Sequence, residues 1–356
     1  MSELPTETAV LEALGKVQEP ELGSDLVSLG MVKDVEITGG RVQFTLELTT
    51  PACPLRDQIE REARQAVESL PGVSEVGLKF TANVPSSRGL IDRAIKNTVA
   101  VGSGKGGVGK STIAVNLATS LARAGAQVGL LDGDIYGPNV PTMMGVESLP
   151  APVDGKMIPA EAFGVKLVSI AFMVKPGQPL IWRGPMLHSA IRQFIADVNW
   201  GELDYLIVDL PPGTGDAPLS LSQSIPLTGS VIVTMPQKVS QEDASRALEM
   251  FRTMKVPILG VVENMSFLEL EDGRRLDLFG EGGGQALAEA AEVPFLGSIP
   301  IDAHVRIGGD SGTPIVVSHP ESAAGQALKD IAETIAARIS VQTFREHNVI
   351  PIEMID

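Results

Sequence analysis

The run Gly104-Lys105-Gly106-Gly107-Val108-Gly109-Lys110-Ser111-Thr112 meets every requirement of the phosphate-binding loop G-x-x-x-x-G-K-[ST] and adds one lysine near its start. Successive backbone N–H groups and the N-terminus of the following helix can then surround a phosphate. Lys110 supplies a point charge, and Ser111 offers a hydroxyl to Mg²⁺. With Ser103 at its entrance, the segment from Ser103 through Thr112 is the expected ATP contact. Lys105 is surplus to the ordinary loop, whose lysine role Lys110 already fills. It either faces solvent or crosses a two-fold interface to touch phosphate in a second subunit, where it would add positive charge to the transition state.

Three acids complete the expected chemistry. Asp132 and Asp134 follow the apolar run Val128-Gly129-Leu130-Leu131, and Asp209 follows Tyr205-Leu206-Ile207-Val208. Ligands of parallel α/β sheets gather at the C-terminal ends of the strands, which brings these carboxylates towards the loop. Asp209 is expected to hold the Mg²⁺ shell, Asp132 to share it, and Asp134 to orient the attacking water. Each could instead cap a turn or a helix. Pro211-Pro212-Gly213-Thr214-Gly215-Asp216 reads as a switch that senses the γ-phosphate, or as a static turn. Asn264, just past the run Ile258–Val262, is placed to bond an adenine edge, with a plain turn residue as the alternative.

Thr98–Val101 and the helical pattern from Ile113 to Ala118 flank the loop, and later apolar runs at 231–234 and 258–262 supply further buried strands. Helices are expected at 241–254 and 323–339, giving an α/β, doubly wound or mostly parallel sheet. A smaller α/β module precedes it. Thr8–Val17 reads as helix, and 31–37 and 41–49 as strands around Gly39-Gly40. Leu55, Ile59, Ala63, Ala66 and Leu70 recur at helical spacing, and Val76, Leu78 and Phe80 return to a period of two. The order is α-β-β-α-β. The limits read as 1–81 for this module, 82–96 for a linker and 97–356 for the nucleotide domain. Cys53 lies between a strand and a helix start, either as a buried apolar residue or as a thiol activated by the helix dipole.

The chain has 356 residues, 44% of them apolar, and a formal net charge of -16. That charge opposes adhesion to nucleic acid or anionic lipid. One cysteine excludes an intrachain disulfide framework and suits a reducing compartment. No apolar run reaches membrane-spanning length, the start lacks an export pattern, and the tail His347–Asp356 lacks a basic amphipathic face. A cytoplasmic protein is expected.

With its glycine loop at 104–112, Asp-Gly-Asp at 132–134 and Asp-Leu-Pro-Pro-Gly-Thr-Gly-Asp at 209–216, the chain closely resembles the Mrp/ApbC/NBP35 family. These are P-loop ATPases of the deviant Walker A class, implicated in iron–sulfur cluster carriage. Tyr136–Pro141 and Val262–Ser266 also agree. The opening module resembles the MIP18 family through Asp25–Val32 and Thr49–Pro54. The resemblance implies an Mg²⁺-dependent ATPase, a homodimer closed by Lys105, a water-positioning Asp134, and iron–sulfur client or assembly proteins as partners. One departure matters: many members carry Cys-x-x-Cys after the Glu-Asn-Met-Ser segment, and two subunits then share a bridging [4Fe-4S] cluster. Here that region is Phe267-Leu268-Glu269-Leu270-Glu271-Asp272-Gly273-Arg274-Arg275, without cysteine. Its carboxylates are poor substitutes for sulfur and read as a solvated hairpin tip. A transient cluster would need Cys53 or a client's thiols, and weak or no cluster binding is expected of the isolated protein. A positioning ATPase of the MinD/ParA kind and an ATP-regulated scaffold are the alternative readings.

Overall fold

The computed structural model describes residues 4–87, 94–173, 193–270 and 272–348. Part of the expected linker (88–93), Glu271 and tail residues 349–356 lie outside that description. The chain divides into one unit of residues 1–85 with 336–356 and another of residues 86–335. The sequence-based limits differ from this chiefly in where 336–356 falls.

In the small unit, Val32–Thr38 pairs antiparallel with Arg41–Leu48, which pairs parallel with Glu75–Ala82. The alternation expected along the middle strand is present, since Val42, Phe44, Leu46 and Leu48 are all buried. Thr45 departs from it and is buried too. Helices Glu7–Leu14 and Arg56–Glu68 contribute Val10, Leu14, Ile59, Ala63 and Val67 to the same core. The first helix begins where the Thr6 hydroxyl accepts from the Ala9 N–H at 3.2 Å. It stops at Gly15, short of the expected Val17. Late in helix Ala323–Asn348, the Ser340 hydroxyl donates to the Thr49 carbonyl at 3.1 Å.

The large unit is built on an eight-stranded sheet. From one edge to the other the strands are Phe295–Ser298, Ile258–Glu263, Gly229–Thr234, Ile95–Ser103, Leu203–Asp209, Val128–Asp132, Val165–Ser169 and Ala160–Ala162. All neighbours run parallel except the last pair. The parallel strands are nearly continuous apolar runs, as sheets buried on both faces require. Helices Lys110–Arg123, Asp216–Ser224, Lys238–Thr253 and Gly283–Ala290 fill the crossovers. Among the described residues, no helix is long and apolar enough to cross a membrane.

Candidate functional site

Strand Ile95–Ser103 leads into the glycine loop, and helix Lys110–Arg123 leaves it. Gly107 and Gly109 sit at φ +79° and +86°, a region that side chains disfavour. A Cβ on Gly109 would lie 2.1 Å from Asn264 Nδ2, and one on Gly104 would lie 2.0 Å from the Asp243 carbonyl carbon. The loop is therefore shaped by close backbone approach as well as by turning. Such a cradle fits phosphate oxygens, because its amides are not screened by side chains.

Register brings the acids together: Asp209 is the lateral partner of Val101 on one side and of Asp132 on the other. Lys110 Nζ donates to Asp209 Oδ1 at 2.6 Å, and Ser111 Oγ donates to Asp209 Oδ2 at 2.6 Å. Lys110 also lies 3.6 Å from Asp134 Oδ2. The other Asp134 oxygen accepts the N–H groups of Tyr136 and Gly137 at 3.1 and 3.2 Å, which fixes that carboxylate. Ser111 and Asp209 present two hard oxygen donors at the mouth of a phosphate cradle. That set fits Mg²⁺, which takes one or two protein ligands and completes its shell with phosphates and water.

Burial pushes the Asp132 carboxyl up to about 8, with the neighbouring Asp209 charge adding to the rise. Burial also raises Asp209, against the opposing charge of Lys110. A carboxyl raised in the folded state costs stability once the unfolded chain has ionised, and the cost is complete above the folded value. Asp132→Asn should therefore raise the thermal midpoint at pH 9 and change it little at pH 5. Thermal unfolding at the two pH values checks this, and an equal or opposite change at pH 9 refutes it.

Two site residues escaped the sequence reading. The Ser169 hydroxyl donates to Asp132 Oδ2 at 2.8 Å. Its signal was the stretch Val165-Lys166-Leu167-Val168 ending in a polar residue, a weaker form of the pattern that identified the aspartates because Lys166 interrupts it. Glu263 is buried and accepts the Gly284 N–H at 2.6 Å and the Ser266 hydroxyl. Its neighbour Asn264 donates to the Val108 carbonyl at 2.8 Å and so clamps the loop from behind. Gly213, at φ +89°, donates its N–H to the Ser103 carbonyl at 2.9 Å, which lays the Pro211–Asp216 segment along the loop.

Lys105 is half-buried, and its carbonyl accepts the Ser103 hydroxyl at 3.0 Å. Where the resemblance implied a thiol pair, Leu268–Glu269 pairs antiparallel with Arg275–Leu276. The exposed turn between them holds an Asp272–Arg274 ion pair of 2.7 Å. Cys53, in the small unit, is half-buried and not disulfide-bonded. Beside the loop opens a cavity of about 720 Å³ that has Thr112 and Asn264 in its wall.

Residues 94–336 match the family described as NUBPL iron-transfer P-loop NTPase, and residues 7–78 match the one described as iron–sulfur cluster assembly protein. A Synechocystis protein named iron–sulfur cluster carrier protein is 54% identical over 348 residues, covering 94% of this chain and 98% of that one. A Deinococcus radiodurans protein of the same name is 54% identical over 341 residues, covering 95% and 97%. Among solved structures, a nucleotide-binding protein from Archaeoglobus fulgidus in complex with ADP aligns with a TM-score of 0.55 at 40% identity. That alignment covers 62% of this chain and 87% of the other.

Proposed function

The chain belongs to the NUBPL iron-transfer P-loop NTPase family, and from that premise we propose that it hydrolyses ATP to drive iron–sulfur cluster carriage or assembly on client apoproteins. The observation that carries the proposal is the convergence of Lys110 and Ser111 on Asp209, each at 2.6 Å, behind a loop of unscreened amides. The matched assembly domain and the names of the relatives supply the cargo.

In this reading the loop amides and the helix N-terminus bind the phosphates, and Lys110 turns from Asp209 towards the transferring group. Ser111 and Asp209 would hold Mg²⁺, with Asp132 behind them. The metal neutralises charge on the phosphates when bound. Asp134, already oriented by two backbone N–H groups, positions the water. Lys105 of the partner subunit adds a second positive charge as a homodimer closes and excludes bulk water. The Pro211–Asp216 segment lies against the loop and so moves with it, passing the state of the nucleotide outwards. The cargo is held briefly, through Cys53 or through thiols lent by a client, because the hairpin at 268–276 offers none. The protein works in the cytoplasm.

Depletion of the protein in cells tests this function. Iron occupancy and activity of cluster-dependent enzymes should fall, and re-expression of the wild-type chain should restore both. Unchanged occupancy, with clients still copurifying, would favour a scaffold that never handles iron.

A further inference from the structure

Glu263 ends strand Ile258–Glu263 as an enclosed carboxylate, 1% exposed, and phosphate chemistry as set out for the loop gives it no part. A carboxylate so placed is costly unless donors surround it. Its Oε2 accepts the Gly284 N–H at 2.6 Å, one of the donors left unpaired at the start of helix Gly283–Ala290. Its Oε1 accepts the Ser266 hydroxyl, and the Ser298 hydroxyl at 3.4 Å. The helix comes this close because residue 284 is glycine: a Cβ there would lie 2.7 Å from the Glu263 Cβ.

Glu263 and Ser266 bracket a bend that carries Asn264. Met265, next to it, adopts φ +53°, which non-glycine residues rarely do, so the bend persists only where its surroundings hold it. The Asn264 N–H donates to the Thr234 carbonyl at 2.8 Å, and the Ser266 N–H to the Ile299 carbonyl at 2.9 Å. The bond from the Ser266 hydroxyl to the Glu263 carboxylate closes the bend on itself.

The Asn264 side chain reaches from this bend to the phosphate loop, where its Nδ2 donates to the Val108 carbonyl at 2.8 Å. No peptide bond among the described residues is cis, and in a trans peptide the C=O and the following N–H point opposite ways. A Val108 carbonyl held by Asn264 therefore turns the Gly109 N–H to the other side of the loop, among the amides that receive phosphate. We propose that Glu263 is a positioning residue for phosphate binding. Its carboxylate closes the bend at 263–266, sets the Asn264 amide on Val108, and thereby aims the Gly109 N–H. It acts through Asn264 and needs no contact with the nucleotide. The assignment rests on the nucleotide reading given above.

Calorimetric titration of the full chain with inorganic tripolyphosphate tests the assignment. Asn264→Ala, Ser266→Ala and Glu263→Ala should each weaken binding roughly three- to tenfold, the effect of one lost hydrogen bond. The variant with both Ser266→Ala and Asn264→Ala should bind no more weakly than Asn264→Ala alone, because Ser266 acts only through that amide. Glu263→Gln should stay within about twofold of wild type, since its amide oxygen still accepts the Gly284 N–H and the serine hydroxyls can turn to accept from its NH₂ group. Thermal unfolding establishes that each variant is folded. Ser266→Ala leaves the buried carboxylate its bonds to Gly284 and Ser298, and it carries the test should Glu263→Ala not fold. Wild-type affinity in Ser266→Ala, or losses that add in the double variant, overturns the positioning role. A wild-type chain that binds neither tripolyphosphate nor ADP overturns the nucleotide reading instead.

Discussion

Lys110→Ala is expected to lower ATP turnover by roughly a hundred- to a thousandfold, the effect of removing one preorganised charge from a developing phosphate charge. It should also lower the thermal midpoint, for a separate reason. Asp209 is 0% exposed, and its nearest positive charge is Lys110 Nζ at 2.6 Å. Removing one partner of a buried pair typically costs about 3–5 kcal/mol, because the other charge is left without compensation. Burial already raises the Asp209 carboxyl, so proton uptake relieves part of that cost at low pH. The midpoint loss should therefore be larger at pH 8 than at pH 5. Adding Asp209→Asn to the variant should restore stability without restoring turnover. Phosphate release and thermal unfolding of both variants separate the two effects, and wild-type turnover in Lys110→Ala would remove this lysine from the chemistry.

Lys105→Ala should leave the first nucleotide affinity within about threefold while lowering turnover roughly a thousandfold, the scale of a cation supplied in trans to phosphoryl transfer. The two lysines of the loop differ in their surroundings. Lys110 contacts Asp209, Ser111 and Asp134. The Lys105 ammonium makes no ion pair or hydrogen bond among the described residues, although the Ser103 hydroxyl fixes its backbone. A lysine with a set backbone and an uncommitted head suits a reach across an interface. Sedimentation with ATP and Mg²⁺ should show the variant failing to dimerise. Unchanged assembly together with unchanged turnover would return Lys105 to the role of a surface residue and reject the two-fold closure.

The parts of this architecture legible in the sequence are those whose cause is local. Glycine spacing encodes the loop, and uninterrupted apolar runs ending in aspartate encode the strands that deliver Asp132 and Asp209. The alternation from Val42 to Leu48 encodes the half-buried middle strand of the small sheet. What escaped depends on distant partners. Ser169 joins Asp132 only because strand Val165–Ser169 docks beside Val128–Asp132. Asn264 reads as a turn or base contact by position, whereas its bond to Val108 spans 156 residues of sequence. The last helix runs on to Asn348, past the expected Ile339, through residues that are largely polar and carry little periodic signal.

The strand that carries the glycine loop sits between Leu203–Asp209 and Gly229–Thr234, and both are encoded after it. During synthesis at roughly 5–20 residues per second, Ile95–Ser103 emerges from the ribosome roughly 5–20 seconds before its first neighbour exists. Both of its edges are unpaired throughout that interval, and its side chains are almost all destined for the interior. The bond from Ser340 to Thr49 within the small unit forms later still, once residue 340 has been made. Nascent copies of this protein thus carry an open, sticky strand until the two segments that flank it in the sheet have been made.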